Sequence, residues 1–174
     1  SRDGEKATAP AVKKGNKMYR QIKVNKGRDK SLRNMHPWLF SGALHDLPDY
    51  ENGEIVEVVT SENKVAGYGF FSPRSQIVCR IFEFTPEIID SFGLEYFREK
   101  IRHAENLRRV LIKGDTDCYR LINAEGDFFP GLIADVYGKT VVLQVLVKGT
   151  ERLLDIVAGI LSECGYRNIY VRNP

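Results

Sequence analysis

Residues 54–84 read EIVEVVTSENKVAGYGFFSPRSQIVCRIFEF, and the fold turns on this stretch. Residues 54–60 are rich in Val and Ile, residues 65–71 and 76–84 are two further apolar runs, and Ser61-Glu62-Asn63-Lys64 and Ser72-Pro73-Arg74-Ser75 separate them. β-Branched and aromatic residues fit a pleated, largely buried surface, and short polar turns join such runs into hairpins. The pattern predicts three strands in a small antiparallel sheet or barrel.

Upstream, Asn52-Gly53 is a turn signal. His36-Pro37-Trp38-Leu39-Phe40-Ser41-Gly42 predicts a short helix, with proline in its first turn and glycine at its end. Before it, Arg20, Lys23, Lys26, Arg28, Lys30 and Arg33 stand against one acid, Asp29. Residues 1–18 have no hydrophobic period, and Lys13, Lys14 and Lys17 add charge, so a flexible tail or expression remnant is expected there. Structure is expected from Tyr19 onward.

Downstream of Thr85-Pro86 the period changes. Phe97, Ile101, Ala104, Leu107 and Leu111 form one stripe of a helix predicted over 87–112, ended by Lys113-Gly114. A domain boundary near residue 85 follows. Strands are predicted at 119–124, 131–137 and 140–147, with Thr150 capping a second helix whose apolar positions run from Leu153 to Leu161. A final strand at 168–172 reads as cut off rather than finished. The organisation expected is α+β, with a β-rich unit at 19–84 and an incomplete α+β domain at 85–174.

Composition sets limits. Hydrophobic residues make up 43% and charged residues 28%, which is compatible with a packed core. No apolar run approaches a bilayer span and no signal-peptide stretch is seen, so a cytoplasmic protein without a membrane partner is expected. Cys79, Cys118 and Cys164 are odd in number and lack CxxC spacing, which argues against a disulfide framework or a cysteine zinc site. His36, His45 and His103 have no metal-ligand spacing. The net charge of +3 announces no nucleic acid by itself.

Several motifs carry two readings. Gly67-Tyr68-Gly69 approaches a dinucleotide fingerprint, but the last glycine and the following helix are missing, so glycines of a twisted strand explain it better. Asp115 and Asp117 beside Cys118 oppose thiol activation. The cations of 26–33 are either a solvated face or a phosphate-contacting patch, with Trp38, Phe40 or His36 offering stacking if exposed. Trp38 and Phe40 are otherwise expected in the core. Between Tyr119 and Asp135, charged groups among apolar ones predict a buried network pairing Arg120 with Asp127 or Asp135; a catalytic acid pair is the alternative.

Two long segments resemble a known family. Residues 26–44, KGRDKSLRNMHPWLFSGAL, look like the opening of the ribosomal-RNA large-subunit 5-methylcytosine methyltransferases, where this stretch belongs to an N-terminal PUA domain, an RNA-binding pseudo-barrel. Tyr119-Arg120-Leu121-Ile122, Glu125-Gly126-Asp127, Pro130-Gly131-Leu132-Ile133 and Asp135 resemble the same family's central α+β domain, with Ser72-Pro73 and Ser75-Gln76-Ile77 in matching order between. The resemblance covers about residues 20–172. It implies a PUA-like domain at 19–84, RNA contacts by Lys26, Arg28, Lys30, Arg33, His36 and Trp38, and large-subunit ribosomal RNA as partner in rRNA processing. It also implies a C-terminal methyltransferase domain that binds S-adenosylmethionine and carries the catalytic cysteine. None of the three cysteines matches that position, so no catalytic residue, cofactor or metal is expected in this chain, and it is expected inactive alone. Three rivals stand beside this reading: an autonomous RNA-binding protein, a small enzyme using carboxylates of 125–135, and a scaffold without RNA. A homodimer is left open.

Overall fold

The computed structural model describes residues 19–44 and 46–172; the expected tail and His45 lie outside them. The first sheet holds β1 (Arg20–Lys23), β2 (Trp38–Phe40), β3 (Ile55–Val59), β4 (Val65–Phe71) and β5 (Ile77–Glu83), in the order β1-β3-β4-β5-β2. β1 runs parallel to β3 and the other pairings are antiparallel. The β3–β4 turn closes through Asn63, whose φ of 62° lies in the left-handed region that asparagine tolerates. The sheet does not close into a barrel, but a bridge between Val24 and Leu44 ties its two edges together.

The second sheet follows α2 (Leu94–Leu111). Strands β6 (Cys118–Asn123), β7 (Leu132–Tyr137) and β8 (Thr140–Val145) form an antiparallel meander. Short α3 (Lys148–Glu151) and α4 (Leu154–Glu163) then cross over to β9 (Asn168–Arg172), which pairs parallel to β8. The α+β class and strands β3 to β9 are those the sequence predicts; β1 and β2 are not.

The cores do not separate at residue 85. Side chains alternate across a strand, so β4 turns Tyr68 and Phe70 to one side and Phe71 to the other. Phe71 joins Val56, Val58, Cys79 and Ile81 inside the first sheet. Tyr68, Phe70 and Phe82 join Phe92, Phe97, Ile101 and Phe129 in a cluster that continues through α2, α4 and the second sheet. The Phe70 and Phe82 rings are 4.7 Å apart, and Phe82 and Phe92 4.9 Å.

Four local expectations are corrected. Residues 36–42 form no α-helix: β2 pairs with β5 there, only a 3-10 turn at Ser41–Ala43 follows it, Leu39 alone of β2 points inward, and Ile81 donates to the Pro37 carbonyl at 2.7 Å. Strand pairing thereby satisfies the edge of β5; the α-helical turn of this region lies upstream, as α1 (Lys30–Arg33). The long helix starts at Leu94 rather than 87, because the Tyr68 and Tyr19 hydroxyls capture the Ile89 and Phe92 amides at 2.9 and 2.8 Å. Thr150 caps nothing: it is buried and its hydroxyl donates to the Pro130 carbonyl at 2.5 Å. Finally, Arg120 is not the buried partner of the network. It pairs with Asp135 at 2.8 and 3.0 Å, with its side chain 47% exposed.

The least exposed ion pair among the described residues is Arg108 with Asp127, largely buried and bidentate at 2.8 and 2.5 Å, with both side chains under 15% exposed. Arg108 also donates to the Arg120 carbonyl, and Asp127 accepts from the Asn123 amide, so the pair clamps α2 to β6. Removing one partner of a buried pair leaves an uncompensated charge. Arg108→Ala is expected to lower stability by about 3–5 kcal/mol, and Arg120→Ala by less than about 1 kcal/mol. Urea unfolding of the two variants checks this, and equal losses would contradict it.

Lys100 reaches back from α2 to the Phe82 carbonyl at 2.8 Å and to the Tyr96 hydroxyl, which itself donates to Glu83. Burial lowers its pKa from 10.5 to about 8, against the opposing pull of Glu83. Between those two values the unfolded chain binds more protons at this site, so Lys100 makes stability rise with pH there. Burial raises the pKa of Tyr68 to about 12 and also raises those of Tyr96 and Tyr166, which reverses the trend above about pH 10. Thermal melts should show the wild type gaining on Lys100→Met between pH 8 and 10; a pH-independent difference would refute the assignment.

Candidate nucleic-acid interface

The basic stretch folds as a tight turn around one buried anchor. Gly27 takes a φ of 79°, Arg28 donates to the Asn25 carbonyl, and Leu32 seats α1 on the core. Lys26, Arg28, Lys30 and Arg33 consequently all point to solvent. Arg33 pairs with Asp29 at 3.1 Å, an exposed pair of small energetic weight. Lys26, Arg28 and Lys30 have no ion-pair partner among the described residues. The two earlier cations are occupied: Arg20 pairs with Glu54 and lies over the Tyr50 ring, and Lys23 donates to Asn63. A shallow groove beside α1 combines Leu32, Arg33 and Met35 with Phe84 and Pro86.

The chain then reverses at Met35, with a φ of 51°, and enters β2. Strand alternation sends Leu39 inward and leaves Trp38 and Phe40 at the surface, 37% and 48% exposed. This corrects the expectation that both fill the core. His36, Trp38 and Phe40 contact one another edge to face, at 5.9 and 6.4 Å between centroids. His36 Nδ1 accepts from the Trp38 amide, and the Trp38 indole donates to Glu125 at 3.1 Å. Arg80, opposite Trp38 on β5, lies 3.9 Å from the same carboxylate oxygen. The basic turn and the aromatic row are thus successive segments of the chain, and both are exposed. Arg80 escaped the sequence reading because only strand register brings it to Trp38.

The carboxylates of 125–135 do not converge on a cleft. Glu125 is held by Trp38, Asp127 by Arg108 and Asp135 by Arg120. The glycines of 67–69 offer no cofactor cradle: a Cβ on Gly67 would lie 2.2 Å from the Glu83 carbonyl, and one on Gly69 2.7 Å from that of Arg80. They serve close strand approach, and these two glycines leave no room between the strands for a nucleotide. Burial raises the pKa of Cys79, a hydrogen bond to Asp117 raises that of Cys118, and burial with Glu105 raises that of Cys164.

Trp38 is the one tryptophan of the chain, so its fluorescence reports this surface directly. Its emission should be readily quenched by acrylamide in the native state. Blue-shifted emission immune to quenching would contradict the outward placement.

A family profile described as a PUA-like domain matches residues 22–84. Ribosomal RNA large subunit methyltransferase I of Salmonella paratyphi B and that of Salmonella newport are each 37% identical over 148 residues, which is 84% of this chain and 36% of the relative. Among solved structures, a Streptococcus mutans protein described as a SAM-dependent methyltransferase superposes with a TM-score of 0.75 at 19% identity, covering 88% of this chain and 40% of that one. A second methyltransferase structure, complexed with SAH, gives the same values. The chain spans little more than a third of the curated relatives it matches. It therefore carries a PUA-like domain and is homologous, over most of its length, to part of ribosomal RNA large subunit methyltransferase I.

Proposed function

We propose that this chain is the RNA-gripping part of an S-adenosylmethionine-dependent ribosomal RNA methyltransferase. The observation that carries the reading is the succession of three exposed, unpaired cations and an exposed aromatic row in consecutive segments. Cations neutralise phosphates and set the register of a strand, while aromatic faces take up unstacked bases. Lys26, Arg28, Lys30 and Arg33 are the phosphate contacts in this reading, and His36 and Trp38 the stacking groups, with Phe40 beside them. The Trp38 indole nitrogen is already satisfied by Glu125, which leaves the ring face for a base.

The homology favours large-subunit ribosomal RNA as the partner, and the family resemblance favours cytosine-5 as the position modified. Methyl transfer and S-adenosylmethionine belong, in this proposal, to a domain outside this chain. The relatives' greater length supports it, as does the poor fit of residues 67–69 to the cofactor. Residues 19–84 act as the RNA-binding domain and 85–174 as the central domain that holds it, in the cytoplasm. The rival reading of a carboxylate enzyme loses ground because each of its acids is engaged by a neighbouring side chain.

Replacing Lys26, Arg28, Lys30 and Arg33 by Ala should weaken binding of a large-subunit ribosomal RNA fragment. It should also lower the slope of log affinity against log salt by about 0.7–0.9 for each phosphate that is no longer neutralised. Unchanged affinity and slope with an intact fold would refute the patch.

A further inference from the structure

A second group of cations lies away from α1, in a cleft where the two sheets meet. Its walls are Asn52, the β4–β5 turn with Ser72, Arg74 and Ser75, Arg80 of β5, and Lys148 at the start of α3. Two glycines allow these elements to approach. A Cβ on Gly53 would lie 2.8 Å from the backbone of Lys148 and Gly149, and one on Gly149 2.2 Å from the Phe70 ring. The cleft is therefore anchored on the shared aromatic core. Its volume is about 300 Å³, at the small end of ligand sites.

The lining is one-signed. It carries three cations, two hydroxyls and an amide, and no carboxylate. Arg74 is exposed and makes no ion pair among the described residues. Arg80 is mostly buried, donates to the Ile77 carbonyl, and reaches Glu125 only at 3.9 Å. Lys148 pairs with Glu151 at 2.7 Å, an exposed contact that an anion can displace. The acids nearest in sequence are occupied elsewhere: Glu51 by Arg152 and Glu54 by Arg20. A concave site of one sign focuses its field on an anion, and forked guanidinium donors match phosphate oxygens. Arg80 also stands opposite Trp38 in the β2–β5 register, so cleft and aromatic row share one strand pair.

We propose that this cleft is a second phosphodiester-binding subsite, holding the backbone of the RNA strand whose bases meet the aromatic row. It rests on the RNA-binding reading above and extends the interface from the first sheet to the second. The sequence hides it, since Ser72-Pro73-Arg74-Ser75 reads as a plain turn and Lys148 lies far along the chain.

The test uses the full chain carrying Arg74→Gln and Lys148→Gln, both solvent-facing changes, with a salt titration of a large-subunit ribosomal RNA fragment. The four-site α1 variant and an Arg102→Gln/Arg167→Gln control are titrated alongside. The salt slope of the cleft variant should fall by about 1.4–1.8, adding to the decrease from the α1 variant, while the control stays near wild type. In NMR titrations, inorganic phosphate should shift the Ser72 and Ser75 amides in the wild type and not in the cleft variant. An unchanged slope in the cleft variant, while the α1 variant loses affinity, overturns the cleft and leaves the RNA reading standing. So does an equal fall in the control, or phosphate binding without any change in the RNA slope. Failure of the wild type to bind the RNA at low salt overturns both.

Discussion

Everything in this structure depends on strands β4 and β5 being buried on both faces. Tyr68, Phe70 and Phe82 point away from the first sheet's own core and become part of the core beneath α2 and the second sheet. Truncating one buried aromatic typically costs about 3–5 kcal/mol, a large share of a domain's usual margin of about 5–15 kcal/mol. The first sheet thus keeps a core of its own and lends its outer face to the second unit, whose core is not complete without it. Glycines at 67 and 69 serve the same requirement, because the neighbouring strand occupies the space their side chains would fill.

Burial on this scale traps polar groups, and they satisfy one another. Tyr68 donates to Glu57, which also accepts from Gln21, while the Tyr68 and Tyr19 hydroxyls receive backbone amides of the segment entering α2. Tyr96, Glu83 and Lys100 form a second group at the same junction. No fully buried side-chain nitrogen or oxygen lacks a partner among the described residues. Such networks have directional requirements that apolar contacts lack, so they hold the two sheets in one relative geometry. That geometry creates the cleft between Arg74, Arg80 and Lys148.

The surface chemistry follows from where acids are spent. Asp127 clamps α2 to β6, Asp135 holds Arg120, Glu54 neutralises Arg20 and Glu125 receives Trp38. Arg74 in the β4–β5 turn and Lys26, Arg28 and Lys30 around α1 are left without an ion-pair partner among the described residues. A net charge of only +3 conceals this, because the acids are paired with particular cations rather than spread evenly. The tied edges of the first sheet keep β2 in place, so its aromatic row stands on a fixed strand.

The sequence by itself determined strands β3 to β9 and the two main helices, because periods of two and of three to four residues report which side chains are buried, wherever their partners lie. It also marked the basic stretch of 26–33 as a charged surface, since closely spaced cations of one sign are costly to bury. Long-range pairing decided the rest. Residues 36–42 carry helix-like signals, yet the open edge of β5 made Trp38, Leu39 and Phe40 a strand and put two aromatic rings at the surface. The sequence pairs Arg120 with Asp127 or Asp135, but the packing of α2 brings Arg108 to Asp127 and leaves Arg120 exposed beside Asp135. Arg74, Arg80 and Lys148 come together solely through the meeting of two sheets. Local pattern records burial, but the identity of a partner across the fold is set by register and packing, which no short window of sequence contains.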